Sequence, residues 1–132
     1  MHLSTEESHL ALMTRLVPRE HHTRLLPLWR IAGFSLGYLP VLVLGSQGLF
    51  RTIQYVETFV EVHYNEQIEW LELQGEEWRP LVEVLESCCA DEVEHKEDSK
   101  RRVQGVDRVG WMIWKMIVEK GSKWAVQASR WL

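Results

Sequence analysis

Cysteine is scarce in this chain of 132 residues: there are two, Cys88 and Cys89, and they are adjacent. Neighbouring cysteines cannot form an ordinary bridge to each other, so a disulfide framework is excluded and a reducing compartment fits. Positive charge is not in excess either. Fifteen Lys and Arg face nineteen Asp and Glu, for a net charge of -4, and no basic stripe carries interleaved aromatics. That balance argues against nucleic-acid binding. A Gly-rich phosphate loop, a Cys-x-x-Cys pair and a Ser/His/Asp arrangement are all missing. The first fifteen residues carry Glu6 and Glu7 and lack the apolar centre of a signal peptide, so no targeting segment is expected there.

What is present is an ordinary globular composition, 45% hydrophobic and 26% charged, of a length that supports one domain over 1–132. Seven tryptophans are more than such a chain needs. Trp favours places where one end of the ring is apolar and the other wet, which points to a membrane surface or a large apolar ligand; core filling is the alternative.

The patterning is helical throughout. Ser4 with Glu7 three residues on reads as a helix start, and the helix runs to about Leu16 before Pro18. Residues 31–50 contain no charged side chain, but Gly33, Gly37, Pro40, Gly45 and Gly48 interrupt the run. The expectation is a short buried or interfacial helix, a bend near Pro40 and a Gly-rich turn, rather than a full membrane span. Ile53, Val56, Val60, Tyr64, Gln67 and Leu71 then trace one helical stripe, with Glu57 and Glu61 on or beside it. A further helix runs from about Glu77 to Arg102. The last carries Val109, Met112, Ile113, Met116, Ile117, Trp124 and Val126 at helical spacing, interleaved with lysines. This suits either a helix lying on lipid headgroups or packing against a bundle.

Two Glu-x-x-His pairs, Glu6/His9 and Glu92/His95, place a carboxylate and an imidazole on one helical face. Glu57 sits among apolar neighbours, and a buried carboxylate costs several kcal/mol unless something pairs with it, a cation being one such partner. A helical bundle that holds two metals uses one Glu from each of two helices and a Glu-x-x-His from each of the other two. Three of those four helices are legible, and carboxylates with neutral imidazole suit iron or manganese.

Pro27-Leu28-Trp29, Ala32 to Gly37, Val56-Glu57, His63-Tyr64-Asn65-x-Gln67 and Asp91-Glu92-x-Glu94-His95, in this order, resemble the demethoxyubiquinone hydroxylase family of ubiquinone biosynthesis. The resemblance implies an all-α, ferritin-like antiparallel bundle with an added apolar interfacial helix. Its expected order is metal helices over 1–17, 49–74 and 77–103, an apolar helix and turn over 28–48, and a Trp-rich amphipathic helix over 106–132. It further implies two iron ions, with Glu6 and His9 on one, Glu92 and His95 on the other, and Glu57 with one Glu-x-x-His carboxylate as bridges. His63 and Tyr64 are expected near the site, beneath the ligands or facing substrate.

The activity implied is O2-dependent ring hydroxylation of a polyprenyl quinone, with an electron donor such as NADH. The implied setting is peripheral, on the matrix side of the mitochondrial inner membrane or the cytoplasmic face of a bacterial membrane. Partners implied are other ubiquinone-biosynthesis proteins, including a lipid-binding one. The family carries a further Glu in a His-Ala-Gly-Glu motif on an earlier helix, and the sequence is expected to start after it. The alternative reading is therefore a catalytically impaired, membrane-associated helical protein that binds quinone or a partner.

Overall fold

The computed structural model describes residues 2–105 and 108–132. Among the described residues are four α-helices, α1 (His2–Leu16), α2 (Leu26–Glu72), α3 (Arg79–Arg102) and α4 (Val109–Trp131), with short 3-10 turns at Arg19–His21 and Glu76–Trp78. No strand occurs among the described residues. The start expected at Val106 falls on residues outside those described.

Helix α1 begins before the expected cap. The helix spans His2–Leu16, so Ser4 lies inside it, and its carbonyl accepts a bond from Ser8 Oγ at 2.9 Å.

Helix α2 is two arms, 26–44 and 46–72, folded back at Gly45, whose φ of 61° and ψ of -148° leave the helical region. Pro40 stays within the first arm, and the bend expected there falls five residues later. Glycine is needed at Gly45 because a Cβ disfavours a positive φ. It is needed at Gly48 for another reason: a Cβ there would stand 2.1 Å from the Pro40 carbonyl oxygen. The two arms approach that closely.

Helix α3 runs antiparallel to the second arm and packs on it more than on any other element. Ile68 and Leu71 of the arm meet Val82 and Leu85 of α3, with Met13, Tyr64 and Leu81 packed against them. Burying such side chains contributes roughly 1.5–3 kcal/mol each. The stripe expected on the second arm is displaced by about one residue at its start. Thr52 and Tyr55 are buried there, Ile53 and Val56 are half-buried, and Gln67 is exposed.

The far end of the arm is tied to the α3–α4 connection by polar contacts. Gln104 N donates to Gln47 Oε1 at 2.7 Å, Arg51 donates to the Gln104 and Gly105 carbonyls at 3.2 Å, and its guanidinium lies over Trp111.

Helix α4 crosses both arms. Trp114 Nε1 donates to Thr52 Oγ1 at 2.9 Å, and Trp29 Nε1 donates to Ser129 Oγ at 2.7 Å. Only Val118 of α4 is buried. Trp111, Trp114 and Val126 are half-buried against the arms, whereas Val109, Met112, Ile113, Met116, Ile117 and Trp124 are exposed, as are Ile31, Phe34, Leu42 and Val43 of the first arm, the last 74% exposed. Among the described residues, packing leaves that part of the α4 face uncovered. Nor is any of the seven tryptophans core filler, since none is buried.

Candidate metal centre

The middle of the bundle, between the hydrophobic core and the Gln47/Arg51 tie, is where α1, the second arm of α2 and α3 bring their acidic groups together. Ligand atoms of Glu6, Glu57, Glu92 and His95 all lie within 4.8 Å of one another. Three separate helices contribute. On α3, Glu92 and His95 share a face and are both buried. On α2, Glu57 is half-buried, and on α1, Glu6 reaches in from an exposed backbone position.

His9 belongs to the same constellation. Its Nδ1 stands 2.9 Å from Glu92 Oε1, and its Nε2 stands 3.0 Å from Asp91 Oδ2. The other oxygen of Glu92 is 3.4 Å from His95 Nδ1, and Glu6 Oε1 is 3.2 Å from the same nitrogen. The two Glu-x-x-His pairs therefore interleave: each histidine meets the carboxylate of the other helix. Glu92 is the common member, with one oxygen toward each imidazole.

Charge of one sign is concentrated here, and the titration of the groups reflects it. Burial, then repulsion from Glu92, a hydrogen bond to Glu92 and repulsion from Glu6, push the Glu57 carboxyl up to about 9. Burial alone would lower the His9 imidazole, but its bonds to Asp91 and Glu92 and the field of Glu92 and Glu6 hold it above the ordinary value. Crowded carboxylates with imidazole nitrogens form a donor set that a divalent cation relieves, and oxygen with imidazole suits iron or manganese more than zinc or copper thiolate sites. The residues fit such an ion.

Tyr64 and Cys88 lie on the core side of the cluster. They hydrogen-bond to each other, and burial raises both above their ordinary range. Cys88 shares the Glu92/His95 face, as the spacing of four predicts. His63 points elsewhere: it stacks on Phe59 at 5.9 Å, pairs with Gln67 at 3.2 Å and lines a cavity of about 440 Å³ with Trp29 and Val126. The structure does not bring it to the cluster.

Two neighbours of the cluster have no signal in the sequence. Asp91 is adjacent to Glu92 and so points off its face by helical spacing; only the approach of α1 makes it the Nε2 partner of His9. Lys96, which pairs with Glu61 across α2 and α3, is likewise found only in three dimensions.

A second cavity of about 660 Å³ lies between the first arm and the start of α4. Leu39, Val43, Leu44, Trp111 and Trp114 form apolar walls, and Gln47 and Arg51 line it too. None of the five residues of the cluster lines it. The α2 helix is long and apolar enough to cross a membrane by length and composition alone, although little of its apolar window is buried.

An all-α, ferritin-like bundle that gathers carboxylates and histidines from three helices is the class of protein this fold and site define. The chain belongs to the family described as Ubiquinone biosynthesis protein COQ7, which matches residues 1–129. It is 35% identical over 92 residues to the NADPH-dependent 3-demethoxyubiquinone 3-hydroxylase, mitochondrial, of Dictyostelium discoideum, covering 68% of this chain and 42% of that protein. It is 34% identical over 97 residues to the 3-demethoxyubiquinol 3-hydroxylase of Rhodospirillum rubrum, covering 72% and 44%. With the Bos taurus NADPH-dependent 3-demethoxyubiquinone 3-hydroxylase, mitochondrial, the match is 29% over 127 residues, covering 94% and 58%. The chain thus spans about half the length of the curated relatives it matches.

Proposed function

We propose that this chain is a di-iron monooxygenase of ubiquinone biosynthesis that hydroxylates the ring of a demethoxyubiquinone with O2. The observation that carries the reading is the convergence of Glu6, Glu57, Glu92 and His95, with His9 bonded to Glu92, in a chain of this family. Relatives named as hydroxylases of demethoxyubiquinone or demethoxyubiquinol support it.

In this reading Glu92, with one oxygen toward each imidazole, would be the carboxylate held in common by the two Glu-x-x-His pairs. Glu57 and Glu6 supply the other carboxylates, and His9 and His95 supply one nitrogen each. When bound, iron supplies the one-electron chemistry that O2 requires. Asp91 holds the proton on His9 Nε2, which leaves Nδ1 as the ligand atom and fixes the ring. The Ile68/Leu71/Val82/Leu85 core closes one side of the cluster to water. Glu57 must lose its proton for metal to bind, as must His9 at its ligand nitrogen, so both groups carry the action of pH on the site.

The apolar surfaces have a use in the same reading. The outward face of α4 and the first arm of α2 lie on a membrane, peripherally, with the tryptophan rings at the headgroup level. The quinone tail reaches the protein from there. The setting is the mitochondrial inner membrane on its matrix side, or the cytoplasmic face of a bacterial membrane. The reductant is a nicotinamide nucleotide, NADPH being the one in the names of several relatives. A lipid-binding protein of the same pathway is a partner that would hand over the quinone.

Iron content of the purified chain, together with turnover of a short-tailed demethoxyubiquinone in the presence of O2 and reductant, tests the reading. Bound iron and hydroxylated product are expected, and both are lost in Glu92→Ala and His95→Ala. Iron-free protein, with neither substitution altering anything, would remove it. Iron binding without turnover would favour the alternative, a quinone- or partner-binding protein at the membrane.

A further inference from the structure

The second arm of α2 carries two carboxylates on the side of the candidate metal centre. Glu57 is in the cluster. Glu61 follows it by four residues, one helical turn, and residues four apart share a helical face. Both are half-buried, and both stand on the arm that packs against α3. What separates them is their partner. Glu57 hydrogen-bonds to Glu92. Glu61 accepts a bond from the Lys96 ammonium, on the residue directly after His95, and the two side chains are only 30% and 17% exposed.

A cation placed among Glu6, Glu57 and Glu92 would attract any further carboxylate within a side chain's reach, and one more anionic ligand changes coordination number and geometry. Glu61, one turn beyond Glu57 on the same face of the arm, is the next carboxylate along it, and the Lys96 ammonium holds it.

We propose that Lys96 is a positioning residue that sets the ligand choice on α2: by keeping Glu61 in an ion pair, it withholds that carboxylate from the metal and leaves Glu57 as the ligand from this helix. This rests on the metal reading above. The competing account is a strap, in which the ion pair only ties α2 to α3. The two accounts differ on one variant. A strap fails equally when either partner is removed, whereas ligand choice fails only when Lys96 is lost, because Glu61 itself is not needed.

The test uses the full chain stripped of metal and titrated with Co2+ alone, read by the visible absorption of the bound ion. Lys96→Met is expected to shift that spectrum and to change the apparent affinity by about tenfold, the lower end of what a partner of a metal ligand is worth. Glu61→Gln should keep the parental spectrum and affinity. The double variant Lys96→Met/Glu61→Gln should return to the parental spectrum, and Lys96→Arg, which keeps the pair, should never leave it. A parental spectrum in Lys96→Met, an altered one in Glu61→Gln, or a double variant that stays altered would each overturn the proposal. If Lys96→Met does not fold, Lys96→Gln takes its place: the same shifted spectrum is expected, and a parental one overturns the proposal. A parent chain that takes up no Co2+ would instead overturn the metal reading, and this inference with it.

Discussion

Glu6 Oε1 on α1 stands 3.2 Å from His95 Nδ1 on α3, closer than the 3.4 Å of Glu92, which is on the same helix as His95 and three residues before it. The motif partner is therefore not the nearest carboxylate. The interleaving makes α1 part of the site even though α1 packs lightly on the rest of the bundle, and it sets the first expectation. Glu6→Ala should weaken metal uptake without lowering the melting temperature of the metal-free chain, because Glu6 is exposed and its loss leaves no buried cavity. Calorimetric melting beside iron titration checks both halves.

Asp91→Ala should reduce metal affinity by roughly 10–100-fold, the usual effect of removing the outer partner of a ligating histidine. Asp91 holds His9 from the Nε2 side at 3.0 Å, and without it the ring is free to rotate and to exchange tautomers. Competition with a chelator of known affinity measures the change. An affinity within twofold of the parent would show that Glu92 alone orients His9.

The metal-free chain should lose stability as pH rises. Glu57 is raised from an ordinary 4.5 to about 9, so between these values the folded state binds a proton that the unfolded state does not. Stability linked to that proton is complete below pH 4.5 and falls until the folded carboxyl ionises near 9. His9, also raised, acts in the same direction above its ordinary 6.5. Metal affinity should move the opposite way over the same window, since the ion displaces these protons. Denaturant midpoints at pH 5, 7 and 9 check the first part. Glu57→Gln, which mimics the neutral acid, should flatten most of the slope.

Gly48→Ala should destabilise the chain by about 1–3 kcal/mol, the cost of forcing a methyl into a closed contact. The added Cβ would meet the Pro40 carbonyl oxygen, backbone that cannot swing aside as a side chain can. Gly33→Ala, where a Cβ meets nothing within 4 Å, is the control and should cost little or stabilise the helix. Urea midpoints compare the two.

Binding to vesicles of phosphatidylcholine should depend on the outward face of α4. Met112, Ile113 and Met116 are more than half exposed, and each apolar side chain moved from water into lipid contributes roughly 1.5–3 kcal/mol. Met112→Lys with Met116→Lys should abolish co-sedimentation while the helical signal in circular dichroism stays. Retained binding would move the membrane contact to the first arm of α2.

The sequence by itself determined the helical class, the two Glu-x-x-His pairs and the unusual Glu57, because periodicity and i, i+3 spacing are local properties of a helix. Composition also showed an uncharged run over residues 31–50 and more tryptophan than such a chain needs. Other features needed the packed chain. The start of α1 lies upstream of the Ser4/Glu7 pair, since a capping pattern competes with a helix that can continue past it. The reversal falls at Gly45 and not at Pro40, because it requires a backbone conformation with positive φ, which a glycine reaches and a proline, with φ fixed at about -65°, does not. Whether the α4 stripe faced a core or the outside was undecidable from spacing, which gives the face but not what lies opposite. Asp91 against His9, Lys96 against Glu61, and Glu6 against His95 are contacts between helices. Local periodicity places each residue on its own helix; only the register of one helix against another decides which of them meet.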